Sequence, residues 1–81
     1  MQANWEKTQK SIKTQLVFTD FVQAFGFMTE VAAVASRLNH HPEWFNVYNR
    51  VDIVLTTHDV GGLSELDNTM AEEINNLLVS Y

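Results

Sequence analysis

The stretch His40-His41-Pro42-Glu43-Trp44-Phe45-Asn46-Val47-Tyr48 (residues 40–48) decides the fold, because it separates two segments with different hydrophobic periods. Apolar side chains recur every three or four positions over residues 21–38, as in an amphipathic helix. They alternate over residues 51–57, as in a half-buried strand. Because a proline disfavours helical backbone at the residue before it, the stretch predicts a sharp passage from a helix into a sheet.

The segment before residue 21 predicts a hairpin of two strands. Trp5-Glu6-Lys7-Thr8 is a short candidate strand, and Gln9-Lys10 is a candidate turn. The residues that follow alternate in polarity, which places Ile12, Leu16 and Phe18 on one face of a second strand.

The helix predicted over residues 21–38 has recognisable ends. Asp20 can accept hydrogen bonds from the free amides of the first turn, and Gln23 can return a bond, as in a capping box. Asn39 can close the helix, because asparagine tolerates the left-handed backbone conformation.

This helix is apolar around much of its circumference. The side chains predicted to face the sheet are Phe21, Phe25, Met28, Ala32, Ala35 and Leu38. Val22, Val31 and Val34 lie off that stripe, so we expect a second subunit to cover another side of the helix. A glycine inside a helix costs about 1 kcal/mol relative to alanine. The usual reason for tolerating that cost is close packing against another backbone, so we expect such packing at Gly26.

The segment after residue 46 predicts one or two strands over residues 47–57, with a bend near residues 48–50 and His58 at the strand end. Ser64 and Asp67 form a Ser-x-x-Asp box that begins a second helix. Its predicted apolar face comprises Leu63, Leu66, Met70, Ile74, Leu77 and Leu78. The order strand, strand, helix, strand, strand, helix predicts an α+β fold, a four-stranded antiparallel sheet with helices on one face, as a single domain over residues 1–81.

Composition excludes several classes of function. The formal net charge of −5 argues against binding to nucleic acid or to an anionic membrane, both of which require a basic surface. The N-terminus has no signal-peptide pattern and the chain has no cysteine, so we expect a cytoplasmic protein. Hydrophobic residues make up 46% of a chain of 81 residues, and this apolar surplus predicts a homo-oligomer.

All three histidines lie near the predicted joints between helix and strand. Imidazole accepts or donates protons near neutral pH, so His40, His41 and His58 are candidate general acids and bases. Adjacent residues of an extended segment point to opposite sides, so His40 and His41 are expected to differ in role. The alternative is structural, with His40 and His41 as polar groups at a helix end and His58 bonded to a carbonyl.

Three other side chains also allow two interpretations. Trp44 and Tyr48 could stack on a flat heterocycle or pack at the edge of the sheet. Asp67 could orient a histidine or only cap its helix. The sequence has no His-x-His pair and no His-Glu-x-x-His helix, so no metal site is predicted.

Four segments, spread over nearly the whole chain from Trp5 to the second helix, carry a resemblance to a known family in both residue type and spacing. They are Asp20-Phe21 with Ala24-Phe25-Gly26-Phe27-Met28, then Asn39-His40-His41-Pro42-Glu43-Trp44-Phe45-Asn46-Val47-Tyr48-Asn49, then Leu55-Thr56-Thr57-His58-Asp59, and then Gly61-Gly62-Leu63-Ser64 with Asp67. Taken together they resemble the pterin-4a-carbinolamine dehydratase family. The set is specific, although none of its parts would be.

The resemblance implies an enzyme that dehydrates 4a-hydroxytetrahydropterin to quinonoid dihydropterin and water, without metal or cofactor. This reaction recycles the pterin that aromatic amino-acid hydroxylases use. The implied catalytic residues are His40, His41, His58 and Asp67. The implied substrate-binding residues are Trp44, Asn39 and Thr57. We interpret His40 and His58 as the proton-transfer groups and His41 as a positioning group.

Two positions depart from the family pattern. Ser36 stands where the family often has a charged residue, and Leu66 stands where a basic residue is common. Some animal members also assist dimerisation of a homeodomain transcription factor. The alternative is therefore a non-catalytic pterin-binding or protein-interaction module of the same fold, similar to a transcriptional coactivator. By analogy the sheet is expected to pair edge to edge in a homodimer, and helices to join dimers into a homotetramer.

Overall fold

The computed structural model describes residues 1–81 and contains one sheet and two α-helices. The strands are β1 (Glu6–Lys7), β2 (Ile12–Val17), β3 (Glu43–Val47) and β4 (Arg50–Leu55). The helices are α1 (Phe21–Leu38) and α2 (Glu65–Leu78), and a short 3₁₀ helix spans His58–Val60. The predicted α+β class and the order β-β-α-β-β-α are confirmed.

The antiparallel sheet has the strand order β1-β2-β4-β3. The central strands β2 and β4 pair along their whole length, with Ile12 opposite Leu55. β3 forms a hairpin with β4 in which Glu43 lies opposite Val54. The helix α1 connects β2 to β3, as in a split β-α-β unit. Because β3 begins where β4 ends, the residues just before β3 lie beside those just after β4.

The core lies between one face of the sheet and the two helices. Alternate residues of the central strands are buried and the residues between them are more exposed, as the period of two predicts. The buried strand residues are Ile12, Thr14, Leu16, Val51, Ile53 and Leu55. Burying each large aliphatic side chain contributes about 1.5–3 kcal/mol. Neither helix combines the length and hydrophobicity that a membrane span requires.

The predicted orientation of α1 is wrong over its first turns. Phe21 and Phe25 are 46% and 54% exposed, and Ala32 is exposed too. The buried side comprises Ala24, Phe27, Val31, Val34 and Ala35, so the two valines predicted off the stripe face the core. Phe27 decides the orientation, because its ring packs 4.9 Å from the ring of Phe18 and 5.6 Å from that of Tyr81. A helix that is apolar on most sides does not reveal by periodicity alone which side meets the sheet.

Details of the helix ends and packing also differ from expectation. Asp20 caps α1 as predicted, but the side chain of Gln23 accepts from the N–H of Thr19 rather than from that of Asp20. A β-carbon built on Gly26 would meet no atom within 4 Å, so the close backbone approach expected there is not made within the chain. Leu66, predicted on the apolar face of α2, is exposed.

Candidate active site

Two loops meet at the open end of the β3–β4 hairpin. The first loop follows α1, which ends as predicted at Asn39 in the left-handed conformation, with φ of 51°. The next N–H, that of His40, donates to the carbonyl of Ala35 over 3.1 Å. This bond turns the chain back across the helix end.

The second loop holds His58 in a tight turn after β4. Thr57 and Gly62 form an isolated antiparallel bridge that closes the loop at its base. Gly61 has a φ of +70°, a conformation that glycine adopts without strain. A β-carbon at Gly62 would lie 3.2 Å from the carbonyl oxygen of Gln9, so a larger residue would push the loop away from the β1–β2 turn.

A shallow cavity of about 260 Å³, open to solvent, lies between the two loops. Its lining residues are Asn39, His40, His41, Thr56, Thr57, His58 and Asp59. All three histidines of the protein therefore line one space. Two larger hollows, of about 350 and 360 Å³, lie on the open sheet face and beside the N-terminus, and neither contains a histidine.

A buried hydrogen-bond network lies behind this cavity, centred on Asp67. The Asp67 side chain is completely buried, and its Oδ1 lies 2.6 Å from Nε2 of His40. Its Oδ2 accepts from the Thr57 hydroxyl over 2.7 Å and from the Ser64 N–H over 2.9 Å. The capping box predicted for Ser64 and Asp67 is present. Asp67 therefore both caps α2 and holds a histidine, so the two sequence interpretations of this residue coexist.

The charge of Asp67 determines that Nε2 of the His40 ring carries a proton. Burial acts to raise the pKa of Asp67, but hydrogen bonds from Thr57, Ser64 and His40 outweigh it and lower the pKa below 3.8. An ionised carboxylate only accepts hydrogen bonds, so Nε2 of His40 carries the proton in this pair. Nδ1 is the ring nitrogen of His40 that this pair leaves without a partner.

The second carboxylate–imidazole pair is exposed. Nε2 of His58 lies 2.8 Å from Oε2 of Glu43, and their side chains are 82% and 55% exposed. Glu43 is the first residue of β3, opposite Val54, and this register brings it close to the loop that follows β4. Glu43 was not assigned to the site from the sequence, because its place depends on the β3–β4 register that only the structure shows.

The structure brings together most of the residues assigned from the sequence. Asn39 and Thr57 line the cavity with the three histidines, and Asp67 lies directly behind His40. Trp44 does not line it, because its side chain packs partly buried against the hydrophobic core. Thr56 and Asp59 line the cavity and were not assigned. Their position next to Thr57 and His58 in the sequence could have indicated that they line the same cavity.

His41 differs from His40 as expected for adjacent residues in an extended segment. It is exposed and makes no side-chain hydrogen bond within the chain, whereas the side chain of His40 is only 10% exposed. No group of three histidine or carboxylate side chains is arranged to hold a metal ion. The groups at the cavity are therefore two imidazoles paired with carboxylates and one imidazole that is free to contact a ligand.

The sequence model of the family described as Pterin 4 alpha carbinolamine dehydratase matches residues 1–77. The chain belongs to this family. A relative from Rhizobium etli with the provisional name pterin-4-alpha-carbinolamine dehydratase is 62% identical over 61 residues, which is 75% of this chain and 60% of that protein. A relative from Dinoroseobacter shibae with the same provisional name is 53% identical over 79 residues, covering 95% of this chain and 81% of that one.

Two solved structures share the dehydratase fold. A Brucella melitensis protein described as a transcriptional coactivator/pterin dehydratase is 48% identical, with a TM-score of 0.86 over 90% of this chain and 80% of that chain. A pterin dehydratase-like protein identified as a RuBisCO assembly factor of the alpha-carboxysome is 17% identical, with a TM-score of 0.74 over 95% of this chain and 89% of that one. The second likeness shows the fold alone.

Proposed function

We propose that this protein dehydrates 4a-hydroxytetrahydropterin to quinonoid dihydropterin and water by acid–base catalysis. The observation that supports the proposal best is the convergence of His40, His41 and His58 on one cavity. Membership of the dehydratase family supplies the substrate class. The reaction breaks the bond from carbon 4a to the hydroxyl and removes the proton on N5, so it requires one proton donor and one acceptor.

In the proposed mechanism His40 and His58 carry the two proton transfers. An imidazolium donates a proton to the departing hydroxyl, which leaves as water, and a neutral imidazole accepts the N5 proton. The protons balance, because one is given and one is taken in each turnover. Each of these rings has Nε2 engaged by a carboxylate, which leaves Nδ1 to exchange the proton. His41, which has no partner in the chain, positions the substrate.

Asn39, Thr57 and Trp44 are proposed to bind the pterin. Asn39 and Thr57 lie on the cavity wall and offer polar groups to the heteroatoms of the ring. Trp44 is proposed to act beside the pocket rather than within its lining.

The test is a dehydration assay with synthetic 4a-hydroxytetrahydropterin, followed by absorbance against the spontaneous rate. The wild-type protein should accelerate the loss of water, and His58→Ala should lower kcat by about 10²-fold, the usual contribution of one acid–base group. Wild-type turnover in His58→Ala would refute the assignment of that residue.

The second candidate function is a non-catalytic pterin-binding or protein-interaction module. Two observations favour it: Ser36 and Leu66 are uncharged and exposed, and the relative from Brucella melitensis is described as a transcriptional coactivator as well as a dehydratase. In the same assay, pterin binding without turnover would support this function and contradict the enzyme.

The proposed setting is tetrahydropterin recycling in the cytoplasm, in the pathway that serves aromatic amino-acid hydroxylases. The proposed partners are the small pterin and further copies of the chain, as a homodimer or homotetramer. Two faces support assembly: the outward side of α1 exposes Phe21, Val22 and Phe25, and β3 is an edge strand with unpaired backbone groups. Nucleic acid and membrane are not among the proposed partners.

A further inference from the structure

Glu43 and His58 form a contact whose effect on the orientation of the His58 ring the acid–base scheme does not address. The carboxylate belongs to the start of β3 and the imidazole to the 3₁₀ helix after β4, so the bond joins β3 to the loop that holds His58. His58 makes no other side-chain hydrogen bond within the chain. Its ring is 82% exposed, so packing does little to restrict its rotation.

The rings of His40 and His58 are held in place by different interactions. The His40 ring is 10% exposed and hydrogen-bonded to a completely buried carboxylate, so both packing and hydrogen bonding fix it. His58 lacks the packing. The 2.8 Å bond to Glu43 is therefore the main restraint on which way its ring nitrogens point. A group that transfers a proton must hold its nitrogen within hydrogen-bond reach of the reacting atom.

We propose that Glu43 is a positioning residue that holds the His58 ring in one orientation, with Nε2 bound and Nδ1 directed to the substrate. The proposal rests on the dehydratase function and adds one residue to its site. Glu43 does not touch the substrate and acts only through His58.

The experiment compares Glu43→Ala, Glu43→Gln and Glu73→Ala with the wild type. Glu73 forms an exposed ion pair with Arg37 at 2.6 Å, so its removal is a matched loss of one charge at a distance from the cavity. In each protein the rotamer populations of His58 are measured by NMR three-bond couplings without substrate, and kcat and KM are measured by the dehydration assay.

We expect one dominant His58 rotamer in the wild type and in Glu73→Ala, and averaging among rotamers in Glu43→Ala. We also expect kcat of Glu43→Ala to fall about two- to five-fold with KM nearly unchanged, the ratio that matches the interaction of an exposed ion pair. Glu43→Gln keeps an acceptor for the Nε2 proton and should restore the single rotamer and most of kcat.

Two results would overturn the proposal: a His58 ring that averages among rotamers in the wild type, or unchanged rotamers and unchanged kcat in Glu43→Ala. Absence of turnover in every protein would refute the dehydratase function itself. The couplings, which need no substrate, would still show whether Glu43 holds the ring.

Discussion

At the scale of single residues, the two histidines assigned to proton transfer lie in different environments. His40 is nearly buried against an ionised carboxylate, and His58 is exposed to water beside another. The histidines could be grouped as candidates from the sequence because imidazoles suit proton transfer and all three lie near predicted joints. Asp67 was assigned to the site through the resemblance to the dehydratase family. Glu43 could not be found in that way, because a glutamate at the start of a strand is ordinary until the strand register shows which loop it faces.

Replacing Asp67 by asparagine should reduce both stability and turnover. Asparagine offers one accepting oxygen where the carboxylate accepts three hydrogen bonds, so one buried donor loses its partner, at a cost of about 1–3 kcal/mol at pH 7. The folded protein lowers the pKa of Asp67 below 3.8, so its contribution to stability is complete above that pH and is lost as the pH falls through the folded value.

Urea denaturation at pH 7 and at pH 3 measures this effect. The difference in the free energy of unfolding between wild type and Asp67→Asn should be larger at pH 7 than at pH 3. Asp59→Asn removes an exposed carboxylate at the cavity edge and should change stability by less than about 0.5 kcal/mol. Equal destabilisation by Asp67→Asn at both pH values would contradict the role given to the charge of Asp67.

At the scale of elements, local chemistry predicted where helices begin and end. Asp20, Asn39 and the box of Ser64 and Asp67 occupy the expected caps, because capping depends on hydrogen bonds within a few residues. The side of α1 that meets the sheet was not predictable, because that choice depends on partners distant in sequence. Phe27 meets Phe18 and Tyr81, whereas Phe25 does not contact the core.

The orientation of α1 can be tested with two phenylalanines. Phe27→Ala removes a fully buried ring and should lower the free energy of unfolding by about 3–5 kcal/mol. Phe25→Ala alters an exposed ring and should cost less than about 1 kcal/mol. The free energies of unfolding are measured by chemical denaturation at the lowest practical protein concentration, because dilution minimises the contribution of association between subunits. Similar losses for the two variants would contradict this orientation.

At the scale of the whole molecule, the order of the strands in the sheet determines which segments lie together at the site. The hydrophobic patterns predicted four strands and two helices, but not that β4 lies between β2 and β3. That order places the end of α1 beside the end of β4 and so joins His40 to Thr57 and Asp67. The same order leaves β3 at an edge of the sheet. One side of α1 is also exposed, and the homo-oligomer expected from the apolar composition stays a prediction.

The proposed assembly is tested by sedimentation velocity of wild type and Phe25→Glu. A charge on the uncovered side of α1 should shift the protein towards smaller species if this side packs against another copy. Val79→Glu places the same charge at an exposed position elsewhere and serves as the control. A wild-type protein that sediments as a monomer at all concentrations would contradict the assembly.

In the proposed site, three imidazoles from two loops converge on one pterin. The most direct measurement is a titration of the protein with a pterin that lacks the 4a-hydroxyl, followed by the ring C–H resonances of the histidines in NMR spectra. We expect the signals of His40, His41 and His58 to shift together with one binding constant, while the signals of the exposed Phe25 ring stay unchanged. Binding that leaves the histidine signals in place, or that moves only one of them, would contradict it.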